Sequence, residues 1–210
     1  MIGAHTLLDQ AGSRLLWMPA FLEAAQAEQA MVELLHCVPW SNHSVRMFGR
    51  ILPSPRMSCW MGEPEACYRY SGQDHAPLPW LPRIEAWRSR LEQSIGACFN
   101  SVLLNLYRDG KDHMGWHADD EPELGAEPTI ASLSLGAARD FVLMPRAKAA
   151  RTRIVVPLAS GDLVLMSGRI QQDWLHALPK RQRVDKPRIN LTWRQVFVRP
   201  HHKPVPRGPS

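Results

Sequence analysis

His117-Ala118-Asp119 sets an imidazole and a carboxylate two residues apart, and His176 supplies a second imidazole far downstream. Two histidines and one carboxylate are the set that holds non-haem Fe(II) by one face and leaves its other positions open. After His176 the chain reads Arg188-Ile189-Asn190-Leu191-Thr192-Trp193-Arg194. An arginine pair there suits a dicarboxylate, because a guanidinium fork matches the two oxygens of a carboxylate. The chemistry these side chains fit is an iron-dependent oxidation that consumes 2-oxoglutarate and O2. Each has a plainer reading as well: His117 as a solvated loop histidine beside a capping Asp119, and His176 as a buried neutral imidazole.

The surrounding pattern supplies elements that would position these groups. Residues 103–107 (Leu-Leu-Asn-Leu-Tyr) predict a strand closed by an Asp109-Gly110 turn, which puts His-x-Asp on the connection between strands. Residues 161–167 predict a glycine-led apolar strand that delivers the chain to His176. Residues 188–198 alternate, with Ile189, Leu191, Trp193 and Gln195 on one face and Arg188, Asn190, Thr192, Arg194 and Val196 on the other. On a solvated sheet the second face would be ordinary polar surface. Inside a barrel it is a row of donors aimed at an anion, and the barrel is preferred. Upstream, residues 21–37 carry Ala24, Ala27, Met31, Leu34 and Leu35 at helical spacing, and residues 82–95 form a second amphipathic pattern with proline at its start. Residues 45–51, 56–61 and 67–71 predict short extended pieces broken by Pro and Gly. Helices packed outside mostly antiparallel sheets make an α+β class.

From Asn105 to Arg194 the motifs N-L-Y-R-D-G, H-M-G-W-H-A-D-D-E, I-A-S-L-S-L-G, R-D-F, G-D-L-V-L-M, W-L-H-A-L-P and P-R-I-N-L-T-W-R follow in order. Together they resemble the AlkB family of nucleic-acid dealkylating dioxygenases, and a weaker likeness reaches upstream to about residue 48. The short interval from His176 to Arg188 is similar to the family's duplex-DNA repair branch. The resemblance implies a double-stranded β-helix (jelly roll, cupin-like) with flanking helices, an N-terminal substrate lid and iron at the open end. It divides one structural domain into residues 1–98, helices and nucleotide-recognition lid, and residues 99–198, the catalytic jelly roll. Residues 199–210, rich in Pro with scattered positive charge, are expected to be a disordered tail.

The same resemblance implies roles. His117, Asp119 and His176 would hold Fe(II) at the catalytic centre, with 2-oxoglutarate and O2 as co-substrates. Arg188 and Tyr107 would take the distal carboxylate of 2-oxoglutarate, Asn105 and Arg194 the carboxylate beside its keto group, with Asn190 assisting. An alkylated base must be flipped out of a stack or already unpaired to be reached. In the lid-like Tyr68-Arg69-Tyr70-Ser71, Tyr68 and Tyr70 are base-recognition residues. Tyr70 would cover one face of the base and the His117 ring the other, with Trp60 a competing platform. Glu121 would contact a ring or exocyclic nitrogen and favour cationic lesions such as 1-methyladenine and 3-methylcytosine. Phe48, in Met47-Phe48-Gly49, would fill the gap left in a duplex. The loop after R-D-F is short but carries Arg146, Lys148, Arg151 and Arg153, which predicts phosphate affinity without a preference for duplex.

Composition bounds the rest. A chain of 210 residues can bury one substantial core. A net charge of +5 agrees with a polyanionic partner: alkylated DNA, single-stranded or duplex, or RNA. Cys37, Cys59, Cys67 and Cys98 form no C-x-x-C pair, which suits a reducing cytoplasm. No segment approaches the roughly 20 apolar residues of a membrane span. Residues 15–22 are too short, and too broken by Pro19, for a secretion signal. The expectation is a cytoplasmic, monomeric enzyme of direct-reversal DNA repair. Two other functions stay open: a 2-oxoglutarate oxygenase acting on RNA, a protein side chain or a small molecule, and a non-catalytic jelly-roll binding module.

Overall fold

The computed structural model describes residues 3–42, 44–47, 50–66, 68–70, 73–147 and 152–197. Strands β1 (His5–Gln10) and β2 (Ser13–Met18) form an N-terminal hairpin, followed by helix α1 (Ala24–Cys37). A small hairpin comes next, β3 (Ser44–Met47) with β4 (Arg50–Pro53), then β5 (Met57–Gly62). A second small hairpin pairs β6 (Tyr68–Tyr70) with β7 (Gln73–His75). Helix α2 (Pro82–Ile95) opens on a proline, whose missing N–H is no loss there, and closes on Gly96 at φ 68. It leads into β8 (Ser101–Tyr107) and β9 (Met114–His117). Four strands follow: β10 (Ile130–Gly136), β11 (Arg139–Pro145), β12 (Ile154–Leu158) and β13 (Leu163–Gly168). The short α3 (Ile170–Asp173) then delivers β14 (Trp174–Leu178), and β15 (Arg188–Arg194) completes the set.

A seven-stranded sheet runs β1-β2-β13-β10-β15-β8-β5 and a four-stranded sheet runs β12-β11-β14-β9, all pairings antiparallel. From β8 onward the chain crosses repeatedly between the two sheets. That is the α+β double-stranded β-helix expected from the sequence.

Alternation along the large sheet builds two cores. Ile189, Leu191, Trp193, Leu133 and Leu165 pack under α1 and α2 against Leu34, Ile84, Trp87 and Leu91. On the opposite face, Leu15, Ile130, Val164 and Met166 meet Phe141, Leu143, Val156 and Trp174 of the small sheet and its flank. The even-numbered residues of β15 therefore face the barrel interior, as period 2 predicts.

The N-terminal hairpin departs from the sequence-based expectation, in which residues 15–22 figure only as a poor secretion signal. Strand β2 pairs along its length with β13. Its Leu15 faces the barrel while Leu16 and Met18 face the helices, so burial on both sides gives a continuous apolar run without alternation. Three strands from the first 98 residues, β1, β2 and β5, thus belong to the large sheet. Phe48, residues 199–210 and the side chains of β3, β4, β6 and β7 lie outside the described residues. No helix among the described residues is long and apolar enough to cross a membrane, and Cys37, Cys59 and Cys98 are free thiols.

Candidate active site

Neighbouring strands of the small sheet bring the two histidines together, with His117 on β9 directly opposite His176 on β14. Their rings meet edge to face with centroids 4.2 Å apart. Asp119, two residues past the end of β9, brings Oδ1 to 3.9 Å from His117 Nε2. One ligand atom of each residue lies within 4.8 Å of the others, a span that one ion can bridge. His117 Nδ1 lies 2.8 Å from the Gly115 carbonyl. With the proton on Nδ1 donated to that oxygen, the Nε2 lone pair is left for a metal. Burial pushes the His176 imidazole down to about 3, His117 adding to this and Asp119 opposing it. His176 is therefore neutral at physiological pH, the state a ligand requires.

Asp119 is gripped on both sides. Burial alone would raise its carboxyl, but the charge of Arg194 and the two imidazoles hold it below the ordinary carboxylate range. Arg194 Nη2 donates to Oδ2 at 2.9 Å, with both side chains buried. The Asp119 backbone N–H donates to Gln171 Oε1 at 3.0 Å.

Two cavities adjoin this group. The deeper, about 40 Å³, is lined by Tyr107, His176, Arg188, Asn190 and Thr192; the outer, about 450 Å³, by Arg56, Trp60, Leu78 and Glu121. Asn105, Met114, His117, Asp119 and Arg194 border both. In the deep cavity Arg188 donates to Ser134 Oγ at 2.8 Å and lies 5.4 Å from the Tyr107 ring centre. Its Nε has no partner among the described residues, and neither has the Nε of Arg194. Burial pushes the Arg188 guanidinium down to about 10, Tyr107 opposing and Arg139 adding, so it stays charged at neutral pH. Burying a cation against a neutral hydroxyl is costly. An anion entering the cavity would offset that cost.

Five sequence-predicted co-substrate residues thus converge on the deep cavity, but not in equal roles. Asn105 Oδ1 accepts from Arg56 Nε at 2.8 Å, which leaves the amide NH2 as its free function, a donor. Asn190 is bonded to a neighbouring strand. Its Nδ2 donates to Ser132 Oγ at 2.8 Å and to the Leu133 carbonyl at 3.0 Å, and its Oδ1 accepts from Thr192. Both amide hydrogens are thus engaged within the wall of the cavity.

In the outer cavity Trp60 is oriented by its indole N–H, 3.1 Å from the Ala66 carbonyl, and Glu121 lines the same space. Tyr68 and Tyr70 stand on β6, with side chains outside the described residues, as is the whole of Phe48. Of the basic loop, Arg146 is already engaged, donating to Asp120 Oδ2 and to the Gln171 carbonyl. Arg153 lies 5.8 Å from the ring centre of exposed Trp116, while Lys148 and Arg151 fall outside the described residues.

Sequence reasoning missed Arg56, Ser134, Gln171 and Arg139. Buried Arg139 donates to the carbonyls of Asp109, Asp112 and Pro179 and so ties the β8–β9 turn to the end of β14. Its R-D-F motif was visible as a signal. Ser134 lies within the I-A-S-L-S-L-G motif, whereas Arg56 and Gln171 had no signal, being ordinary polar residues that matter through partners distant in sequence.

Comparison with known proteins agrees with this geometry. The profile of the 2OG-Fe(II) oxygenase superfamily matches residues 14–194. Mouse alpha-ketoglutarate-dependent dioxygenase alkB homolog 3 is 38% identical over 204 residues, 93% of this chain and 68% of that protein. Human DNA oxidative demethylase ALKBH2 is 41% identical over 183 residues, 83% of this chain and 70% of that protein. The solved structure of OsALKBH1 superposes with a TM-score of 0.57 at 15% identity, covering 91% of this chain and 100% of that one. A 2OG-Fe(II) family oxidoreductase from Burkholderia pseudomallei also gives a TM-score of 0.57, at 16% identity over 90% of this chain and 89% of that one. Those two establish the fold alone. With the superfamily profile spanning most of the chain and these relatives matching nearly all of it, the chain belongs to the AlkB family of 2OG-Fe(II) oxygenases.

Proposed function

We propose that this protein oxidatively demethylates N-alkylated bases in DNA, a direct reversal of alkylation damage. The observation that carries the reading is the shared wall. His117 and Asp119 border both a deep cavity lined by the buried Arg188 guanidinium and an outer cavity of about 450 Å³, within the range of small-molecule pockets, and His176 lines the deep one. Relatives named DNA oxidative demethylase support DNA as the substrate.

His117, Asp119 and His176 would hold Fe(II), which with 2-oxoglutarate and O2 supplies the oxidising power for hydroxylating an N-alkyl carbon. Arg188 and Tyr107 would hold the far carboxylate of 2-oxoglutarate, and Arg194 and Asn105 would offer donors to the near one. Arg194 serves twice, since Asp119 already occupies one of its nitrogens. A flipped base enters the outer cavity and lies against His117, with Trp60 along the wall and Glu121 favouring a cationic ring. Loss of the hydroxylated carbon as an aldehyde restores the base.

The test is incubation with Fe(II), 2-oxoglutarate and a panel of oligonucleotides bearing 1-methyladenine or 3-methylcytosine, as single-stranded DNA, duplex DNA and RNA, read by mass spectrometry. The expected result is a mass loss of one methylene per lesion on DNA. Turnover of 2-oxoglutarate with every lesion intact would overturn the reading, and activity confined to RNA would move it to RNA.

A further inference from the structure

Asp119 is buried along with its peptide N–H, and a buried N–H needs an acceptor. No strand partner supplies one, since β9 ends at His117. The acceptor is the side chain of Gln171, only 1% exposed, whose Oε1 lies 3.0 Å away. A peptide N–H can only donate, so the Gln171 amide must present its oxygen to Asp119. Its Nε2 is left facing Met166 Sδ at 3.5 Å, a weak acceptor. Gln171 stands on α3, directly before the strand that carries His176. Arg146, beyond the end of β11, closes the group. Its Nη2 donates to the Gln171 carbonyl at 3.0 Å and to the Asp120 carboxylate, and its backbone N–H donates to the Asp173 carbonyl at 2.8 Å.

We propose that Gln171 is a positioning residue of the metal centre, braced by Arg146, which locks the Asp119 loop to the segment that delivers His176. Arg194 sets the direction of the Asp119 carboxylate; Gln171 sets where its backbone sits. Because α3 feeds β14, any displacement of α3 carries Asp119 and His176 together and preserves their separation. Arg146 consequently belongs to the metal centre and contributes little to phosphate contact. The proposal rests on His117, Asp119 and His176 being the metal-holding set.

The test is titration of the metal-free protein with Mn(II), without 2-oxoglutarate or nucleic acid, following loss of the free-ion EPR signal. Gln171→Met keeps the chain length and removes the acceptor, whereas Gln171→Glu keeps an oxygen in place. The expected result is Mn(II) affinity about 10–100-fold weaker for Gln171→Met and within about threefold of wild type for Gln171→Glu, as for outer partners of metal ligands generally. A folded Gln171→Met with wild-type affinity overturns the proposal, and so does a Gln171→Glu as weak as Gln171→Met. Should Gln171→Met fail to fold, Arg146→Met on the partly exposed brace is expected to weaken Mn(II) several-fold, and unchanged affinity there overturns the proposal equally. Asp119→Ala separates the two levels: if it binds Mn(II) like wild type, the metal-site reading fails first.

Discussion

Arg188 is a buried charged residue beside a hydroxyl and an aromatic ring, with no counter-ion among the described residues. Charge-assisted contact with a carboxylate is worth about 1.5–3 kcal/mol, so Arg188→Ala should raise the 2-oxoglutarate requirement by roughly one to two decades. Mn(II) affinity without 2-oxoglutarate should hardly change; an unaltered 2-oxoglutarate dependence would mean that the co-substrate binds elsewhere. His176 makes a prediction about acid. Its folded value near 3 lies below the ordinary 6.5, so the unfolded chain binds the extra proton. Stability from this group is present above pH 6.5 and is lost as pH falls toward 3, by about 2 kcal/mol between pH 7 and pH 5. Asp119, also held low, acts in the same direction further down. Urea unfolding of the metal-free protein at the two pH values measures the sum, and His176→Gln should flatten the slope between them.

At the scale of elements, β15 does two jobs on two faces. Trp193, fully buried under the helices, should cost about 3–5 kcal/mol on replacement by Ala. Arg188→Ala on the interior face should leave stability within about 1 kcal/mol of wild type, since it removes a buried charge whose compensation is weak. Thermal unfolding of the pair compares them directly, and equal losses would contradict the two-faced strand. The β8–β9 turn makes a second case. A side chain at Gly110 would place its Cβ 1.7 Å from the Arg181 carbonyl oxygen. Gly110 exchanges backbone hydrogen bonds of 2.7 Å with Val184 and Arg181 across the loop before β15. Gly110→Ala should therefore destabilise by about 1–3 kcal/mol or more. The two faces of β15, both long helices and the strand before the His-x-Asp unit were legible in the sequence because periodicity reports a local environment. β2 was not, being buried on both faces and so lacking a period. Gln171 and Arg56 were not legible either, because each acts through a partner distant in sequence, and a lone polar residue does not advertise its contact; Ser134 lies in a motif that does not say what it touches.

At the scale of the molecule, two stretches of the chain meet at the metal-ligand set. The ligands and the lining of the deep cavity come from residues 105–194, whereas residues 39–78 supply much of the wall of the outer cavity, among them Arg56, Trp60 and Leu78. If Phe48 fills the gap of a flipped base, Phe48→Ala should lower activity on duplex and spare single strands; equal losses would make it a packing residue. Lys148, Arg151 and Arg153 replaced by Ser should flatten the salt dependence of oligonucleotide binding by roughly one unit of slope for each phosphate no longer neutralised. The central claim is that one metal-ligand set couples consumption of 2-oxoglutarate in the deep cavity to repair of a base in the outer one. Its most direct test measures succinate released against bases restored in a single reaction with a methylated oligonucleotide, for wild type and Asp119→Ala. Equal amounts of the two products are expected for wild type, and neither for Asp119→Ala. Succinate without restored base, or repair persisting in Asp119→Ala, would contradict the claim.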